Sequence, residues 1–129
     1  MYKGLELAIK ASEKSTEEIK SGAAIRFGFN DDLYITGFNL GSKYSYDMIF
    51  DKCKSVDIKL KDQTLYLTHE PHRRDALKIA DKGIKRVVYI HDFNHRGRDV
   101  LRALGVNVLK IDLDSLCWYN LSVMIDTLL

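Results

Sequence analysis

The chain has 129 residues, 46% of them apolar and 29% charged, and its 20 Lys and Arg against 18 Asp and Glu leave a net charge of +2. That length is enough to bury one continuous core, and no apolar run approaches the roughly 20 residues that cross a bilayer. The opening MYKGLELAIKASEK holds no apolar secretory stretch, and Cys53 and Cys117 are too far apart to frame a disulfide scaffold or a zinc finger. The expectation is one soluble domain in a reducing cytoplasm.

Residues 3–20 read as an amphipathic helix with Leu5, Ala8, Ile9 and Ile19 on one face and Gly22 as its stop. AAIRFGF (23–29) and LYITGF (33–38) alternate like strands around an Asn-Asp-Asp turn at 30–32, which predicts an antiparallel hairpin. A loop over 39–43 leads to a short helix over 44–55 that buries Met48 and Ile49. QTLYLT (63–68) is a β-rich run, followed by a helix over 72–82 that stops at Gly83. KRVVYI (85–90) is almost continuously apolar, as befits a strand buried on both faces of a parallel sheet. A helix over 97–104, a strand over 106–111 and a last helix from about 115 complete the order. A hairpin followed by alternating strands and helices predicts a mixed sheet flanked by helices in three layers.

Charge and chemistry concentrate in one window. From His69 to Arg102 nine basic residues meet five acidic ones, so this stretch carries +4 and the remainder −2. All four histidines, at 69, 72, 91 and 95, fall inside it. In parallel β-α units, ligands gather beyond the carboxyl ends of the strands, at the helix N-termini that follow. The two strands ending at Thr68 and Ile90 run into His69-Glu70-Pro71-His72-Arg73-Arg74-Asp75 and His91-Asp92-Phe93-Asn94-His95-Arg96. If those strands are neighbours, the four histidines and Asp75 share one rim of the sheet.

TLYLT-x-Glu-Pro, then Ala76, GIKRVVYI and a later Gly-Arg-x-x-Leu-x-x-Leu-Gly-Val-x-Val together resemble the cytidine and deoxycytidylate deaminase superfamily. The likeness is strongest to the deoxycytidylate deaminase branch. It runs from the hairpin end Thr36-Gly37-Phe38-Asn39 through Leu113–Leu121 around Trp118, nearly the whole chain. It implies a cytidine deaminase-like α/β/α sandwich around a mixed five-stranded sheet. Such deaminases hold zinc with one His and two Cys, and a Glu beside that His shuttles protons for the zinc-bound water.

Aligned on Pro71, the two cysteine positions are His72 and Asp75 in this chain. Without gaps the His-x-Glu motif falls on Tyr44-Ser45-Tyr46, and one gap moves it to Ser45-Tyr46-Asp47. Every metal ligand has therefore changed type, which leaves no catalytic residue, no metal ligand and no expected cofactor. Tyr44 and Tyr46 are expected to fill the former metal pocket.

What the resemblance leaves is a binding site of Asn39, Glu70, His72, Arg73, Asp75 and His91, with Arg73 and its neighbour Arg74 available to a phosphate. Asn39 matches a family turn whose asparagine contacts the sugar, although it suits a turn on its own account. His91, Asp92 and His95 fall on the loop that closes over base or phosphate in the family. Plainer readings stand beside these: His72 and Asp75 as an i, i+3 pair in a first helical turn, His69 pointing to solvent, and both cysteines as small buried hydrophobes. The expected function is that of a catalytically silent homologue, binding a nucleotide or a partner, as a homo-oligomer or paired with an active homologue. One alternative is a metal-dependent hydrolase, an unusual deaminase among them, holding zinc or another divalent ion with His69, His72, Asp75 and His91. The other is a nucleic-acid-binding module using the basic 73–102 stretch, against which the low net charge weighs.

Overall fold

The computed structural model describes residues 3–26, 33–55 and 58–112. Within them the order is α1 (Lys3–Ser12), β1 (Gly22–Arg26), β2 (Tyr34–Phe38), α2 (Ser45–Ser55), β3 (Thr64–His69), α3 (Arg73–Asp81), β4 (Arg86–His91), α4 (Arg96–Ala103) and β5 (Asn107–Lys110). The strands form one sheet in the order β2-β1-β3-β4-β5. β1 pairs antiparallel with both β2 and β3, whereas β3-β4 and β4-β5 are parallel. The expected mixed five-stranded sheet is thus present.

Side-chain alternation along the strands sorts residues between two faces. Ala23 and Ile25 of β1, Leu65 and Leu67 of β3, and Val87 and Tyr89 of β4 share a core with Ile49 and Cys53 of α2, Ala76 and Ile79 of α3, and Leu101 of α4. The residues between them, Tyr66, Val88 and Ile90, pack with Leu5 and Ile9 of α1. Helices therefore cover both faces, giving three layers. The apolar run of β4 is buried on both sides, which is why it shows no alternation in hydrophobicity.

Two expectations at the N-terminal end give way. The helix expected over 3–20 ends at Ser12. The Ser12 hydroxyl donates to the Ile9 carbonyl at 2.5 Å, and the next amides make tight i to i−3 turns. The Ser15 hydroxyl then leaves for the Asn39 carbonyl, 2.9 Å away. Serine hydroxyls offer the backbone alternatives to the helical ladder, and here those alternatives win. Ile19, expected on the buried face, is 69% exposed. Gly22 opens β1 rather than stopping the helix, and a Cβ there would sit 1.9 Å from the Ala8 carbonyl oxygen. The turn at 30–32, the end of the first hairpin strand and the helix expected from about 115 lie outside the described residues. No helix among the described residues is long and apolar enough to cross a membrane.

Candidate functional site

The parallel strands β3 and β4 finish level with each other, and their last residues, His69 and His91, are register partners. Their rings lie 4.8 Å apart between centroids. Nδ1 of His69 is 2.8 Å from the Thr68 hydroxyl, whose oxygen also accepts the Gly22 amide at 2.9 Å. His69 is half-buried rather than turned to solvent. Burial, and secondarily the neighbouring His91, hold its imidazole below the usual histidine range.

Just beyond β3, His72 takes the extended N-cap conformation (φ −67°, ψ 154°) that starts α3. Its ring lies between two others, Tyr44 at 4.7 Å and Phe93 at 4.6 Å. Tyr44 in turn stacks on Tyr46, with centroids 5.5 Å apart and planes within 14°. The Tyr46 hydroxyl donates to Oδ2 of Asp75, and both residues are buried. Burial and that carboxylate push the phenol far above its ordinary range. Asp47 faces other partners: it accepts the Tyr44 amide at 3.0 Å, half of a capping box at the start of α2, and the Lys78 ammonium at 3.0 Å. Tyr44 and Tyr46, at the start of α2, are thus the side chains that meet His72 and Asp75.

Glu70 and Asn39 are held by the backbone around them. Glu70 is 4% exposed, and its carboxylate accepts the amides of Phe93 at 3.0 Å, His95 at 3.1 Å and Arg98 at 3.2 Å. A buried anion at the start of α4 satisfies amides that the helix leaves unpaired and complements the helix dipole. The Asn39 amide oxygen accepts the Ser21 amide at 2.9 Å, and its nitrogen donates to the Ile19 carbonyl at 2.7 Å. Asp92 accepts Lys110 at 2.5 Å and the Tyr89 hydroxyl at 2.8 Å, and these two bonds keep its carboxyl below the usual range.

These elements enclose a cavity of about 510 Å³, within the size range of small-molecule sites. Asn39, Glu70, His72 and His91 line it, joined by His69, Tyr44, Tyr46 and Phe93. Arg73 is exposed and forms no part of its wall, and Asp75 lies behind Tyr46. His95 is also outside the wall, exposed, in the left-handed region at φ 65°. The two tyrosines expected to fill the former metal pocket pack on His72 and Asp75, beside a cavity that stays open. Tyr46 is packed inward at 4% exposure, but Tyr44, at the mouth of α2, is 37% exposed and forms a wall.

Phe93, Ile19 and Ser21 also line the cavity, beyond the site residues that the sequence indicates. Phe93 offered a signal, an aromatic in a polar loop just after a buried strand. Ile19 offered none, because its helical spacing pointed to burial.

Among the described residues, one set of three potential metal donors converges to within 4.8 Å: Glu70, Asp92 and His95. The carboxylates of that set already hold three backbone amides, a hydroxyl and the Lys110 ammonium. His69, His72, Asp75 and His91 do not converge in this way. Cys53 is buried in the core, where burial pushes its thiol up, and Cys117 lies outside the described residues.

No protein-family model matches the chain. No curated protein matches it either. Solved structures do. The apo dCMP deaminase of cyanophage S-TIM5 superposes with a TM-score of 0.72 at 24% identity, over 84% of this chain and 94% of that one. The chain has the deaminase fold. The same phage enzyme in complex with dCMP and dUMP superposes at 0.69 and 22% identity, over 83% of this chain and 93% of the other. A bifunctional diaminohydroxyphosphoribosylaminopyrimidine deaminase and reductase from Thermotoga maritima superposes at 0.64 and 26% identity, over 83% of this chain and 34% of that protein. In open α/β sheets ligands bind beyond the carboxyl ends of the strands, and here those ends carry a cavity with aromatic walls. Aromatic rings on its walls give a lining suited to an aromatic ligand, and His91 stands exposed at one edge.

Proposed function

We propose that this protein is a catalytically silent relative of the deoxycytidylate and cytidine deaminases, binding a pyrimidine nucleoside or nucleotide in its aromatic cavity. The observation that carries the reading is the pair of contacts at the positions aligned with the family's metal site. Tyr46 donates its hydroxyl to Asp75, and Tyr44 packs on His72. This donor set does not fit zinc. It holds one imidazole between two rings and one carboxylate already taken by a phenol, where zinc sites supply thiolates, imidazoles and carboxylates in a tetrahedron. Glu70 spends its carboxylate on three amides and is not free to move protons.

In this reading His72, Tyr44 and Phe93 contact the base, while Asn39 and Glu70 hold the walls in place. Asp75 supports Tyr46 from behind, His91 stands at the sugar or phosphate end, and Arg73 is available at the rim. The phage deaminase solved with dCMP and dUMP supports this ligand class. The silent subunit would act in the cytoplasm by signalling nucleotide levels, as a homo-oligomer or beside an active homologue.

The test combines metal analysis of zinc-supplemented protein, ammonia release from cytidine and dCMP, and calorimetry with both. The expected result is substoichiometric zinc, no turnover, and saturable binding that Tyr44→Ala weakens roughly tenfold, equivalent to about 1.4 kcal/mol. Stoichiometric zinc together with deamination would overturn the reading.

A further inference from the structure

The cavity has an electrostatic peculiarity. Neither lysine nor arginine lines it, and its walls are neutral groups, three histidines and two carboxylates that are already engaged. The nearby permanent cations are already paired: Lys78 with Asp47, Lys110 with Asp92 of the wall itself, and Arg98 with Asp99. Arg73 and Arg74 are exposed at the first turn of α3, outside the wall. An anion entering an aromatic-walled cavity sheds water and needs a countercharge to replace it. Histidine is the side chain that can supply one near neutral pH.

We propose that the facing pair His69 and His91 selects the ligand class of this cavity: uncharged nucleosides bind at neutral pH and above, and phosphorylated ones bind as the pair takes up protons. The inference rests on the reading that the cavity binds nucleosides or nucleotides. Two imidazoles 4.8 Å apart repel each other once charged, so protonation of the second is favoured only when an anion lies against both. Groups facing the pair do little to supply charge. The start of β1 brings Gly22 and, just before it, Ser21, neither of which titrates, and the start of α2 brings the phenols Tyr44 and Tyr46. The loop after β3 brings Glu70, its carboxylate held by three amides, the start of α3 brings His72, and the loop after β4 brings Asp92, already paired with Lys110. Burial holds the His69 imidazole below its ordinary range, which keeps that ring neutral in the empty cavity at neutral pH.

Calorimetry on the full chain with deoxycytidine and with dCMP, at about pH 8 and about pH 5.5 on either side of the histidine range, tests this. Deoxycytidine is expected to bind equally at both values. The dCMP affinity is expected to rise roughly tenfold or more on acidification, about 1.4 kcal/mol. The ligand's own phosphate gains a proton over the same range. The decisive comparison is therefore the ratio of dCMP to deoxycytidine affinity in His91→Gln and His69→Gln, which should no longer change with pH. His91 is exposed, so at least that variant keeps the fold, which circular dichroism checks. If dCMP binds tightly at pH 8 and Arg73→Ala abolishes this, the phosphate is read by α3 and the inference falls while the nucleotide reading stands. If neither ligand binds at either pH, both fall.

Discussion

Tyr46 shows how one side chain redefines a site. Its ring fills space beneath the cavity, and its hydroxyl satisfies Asp75, a carboxylate only 8% exposed. Removing the hydroxyl leaves a buried acceptor without its partner, which costs more than the net worth of the bond itself. Tyr46→Phe is expected to destabilise the protein by about 1–3 kcal/mol in urea unfolding. Pairing it with Asp75→Asn should cost less than the sum of the two single changes, because both remove one interaction. Strict additivity would mean that the hydroxyl and carboxylate act independently. The sequence drew attention to both tyrosines, but residue type alone could not say which would turn inward. That depended on Tyr44 being the cap residue of α2 and Tyr46 lying one turn-side deeper.

At the scale of elements, the site is a junction between two loops. The carboxylate of Glu70, after β3, gathers amides at the start of α4. The same junction brings Gly97 of α4 against the chain at Pro71, where a Cβ would lie 1.8 Å from the carbonyl oxygen. A backbone atom cannot swing aside as a flexible side chain can, so α4 must shift. Gly97→Ala should cost about 1–3 kcal/mol, the usual scale for overpacking. It should also increase hydrogen exchange in the Phe93–Arg98 segment that Glu70 holds. A variant as stable and as protected as the wild type would mean that α4 has room to move. Element identities and order were legible because period-2 and near-continuous apolar runs mark strands. The end of α1 was not, because it turned on where the Ser12 and Ser15 hydroxyls found partners.

For the molecule as a whole, His69 couples stability to pH. Its folded-state pKa is lowered from the ordinary 6.5 by burial and by His91. As pH falls through about 6.5 the unfolded chain takes up this proton before the folded protein does, so it binds more protons and stability declines. The decline ends once pH passes the folded-state value, and above the unfolded value the group contributes no pH dependence. His69→Gln should therefore flatten the limb just below pH 6.5 in a series of urea midpoints, leaving the carboxylate-driven loss at lower pH. An unchanged limb would mean that His69 does not couple stability to pH.

The amino-acid pattern by itself determined the strand and helix order, the mixed sheet and the rim where the histidines gather. Those features follow from local periodicity and from the rule that parallel strands present ligands at their carboxyl ends. Only the tertiary structure decided that a cavity opens beside the two tyrosines, that Asp47 turns away, and that Glu70 and Asn39 are spent on backbone groups. Each of those outcomes depends on which polar partner comes within hydrogen-bonding distance after distant segments pack. Sequence spacing within a single element carries no record of that distance.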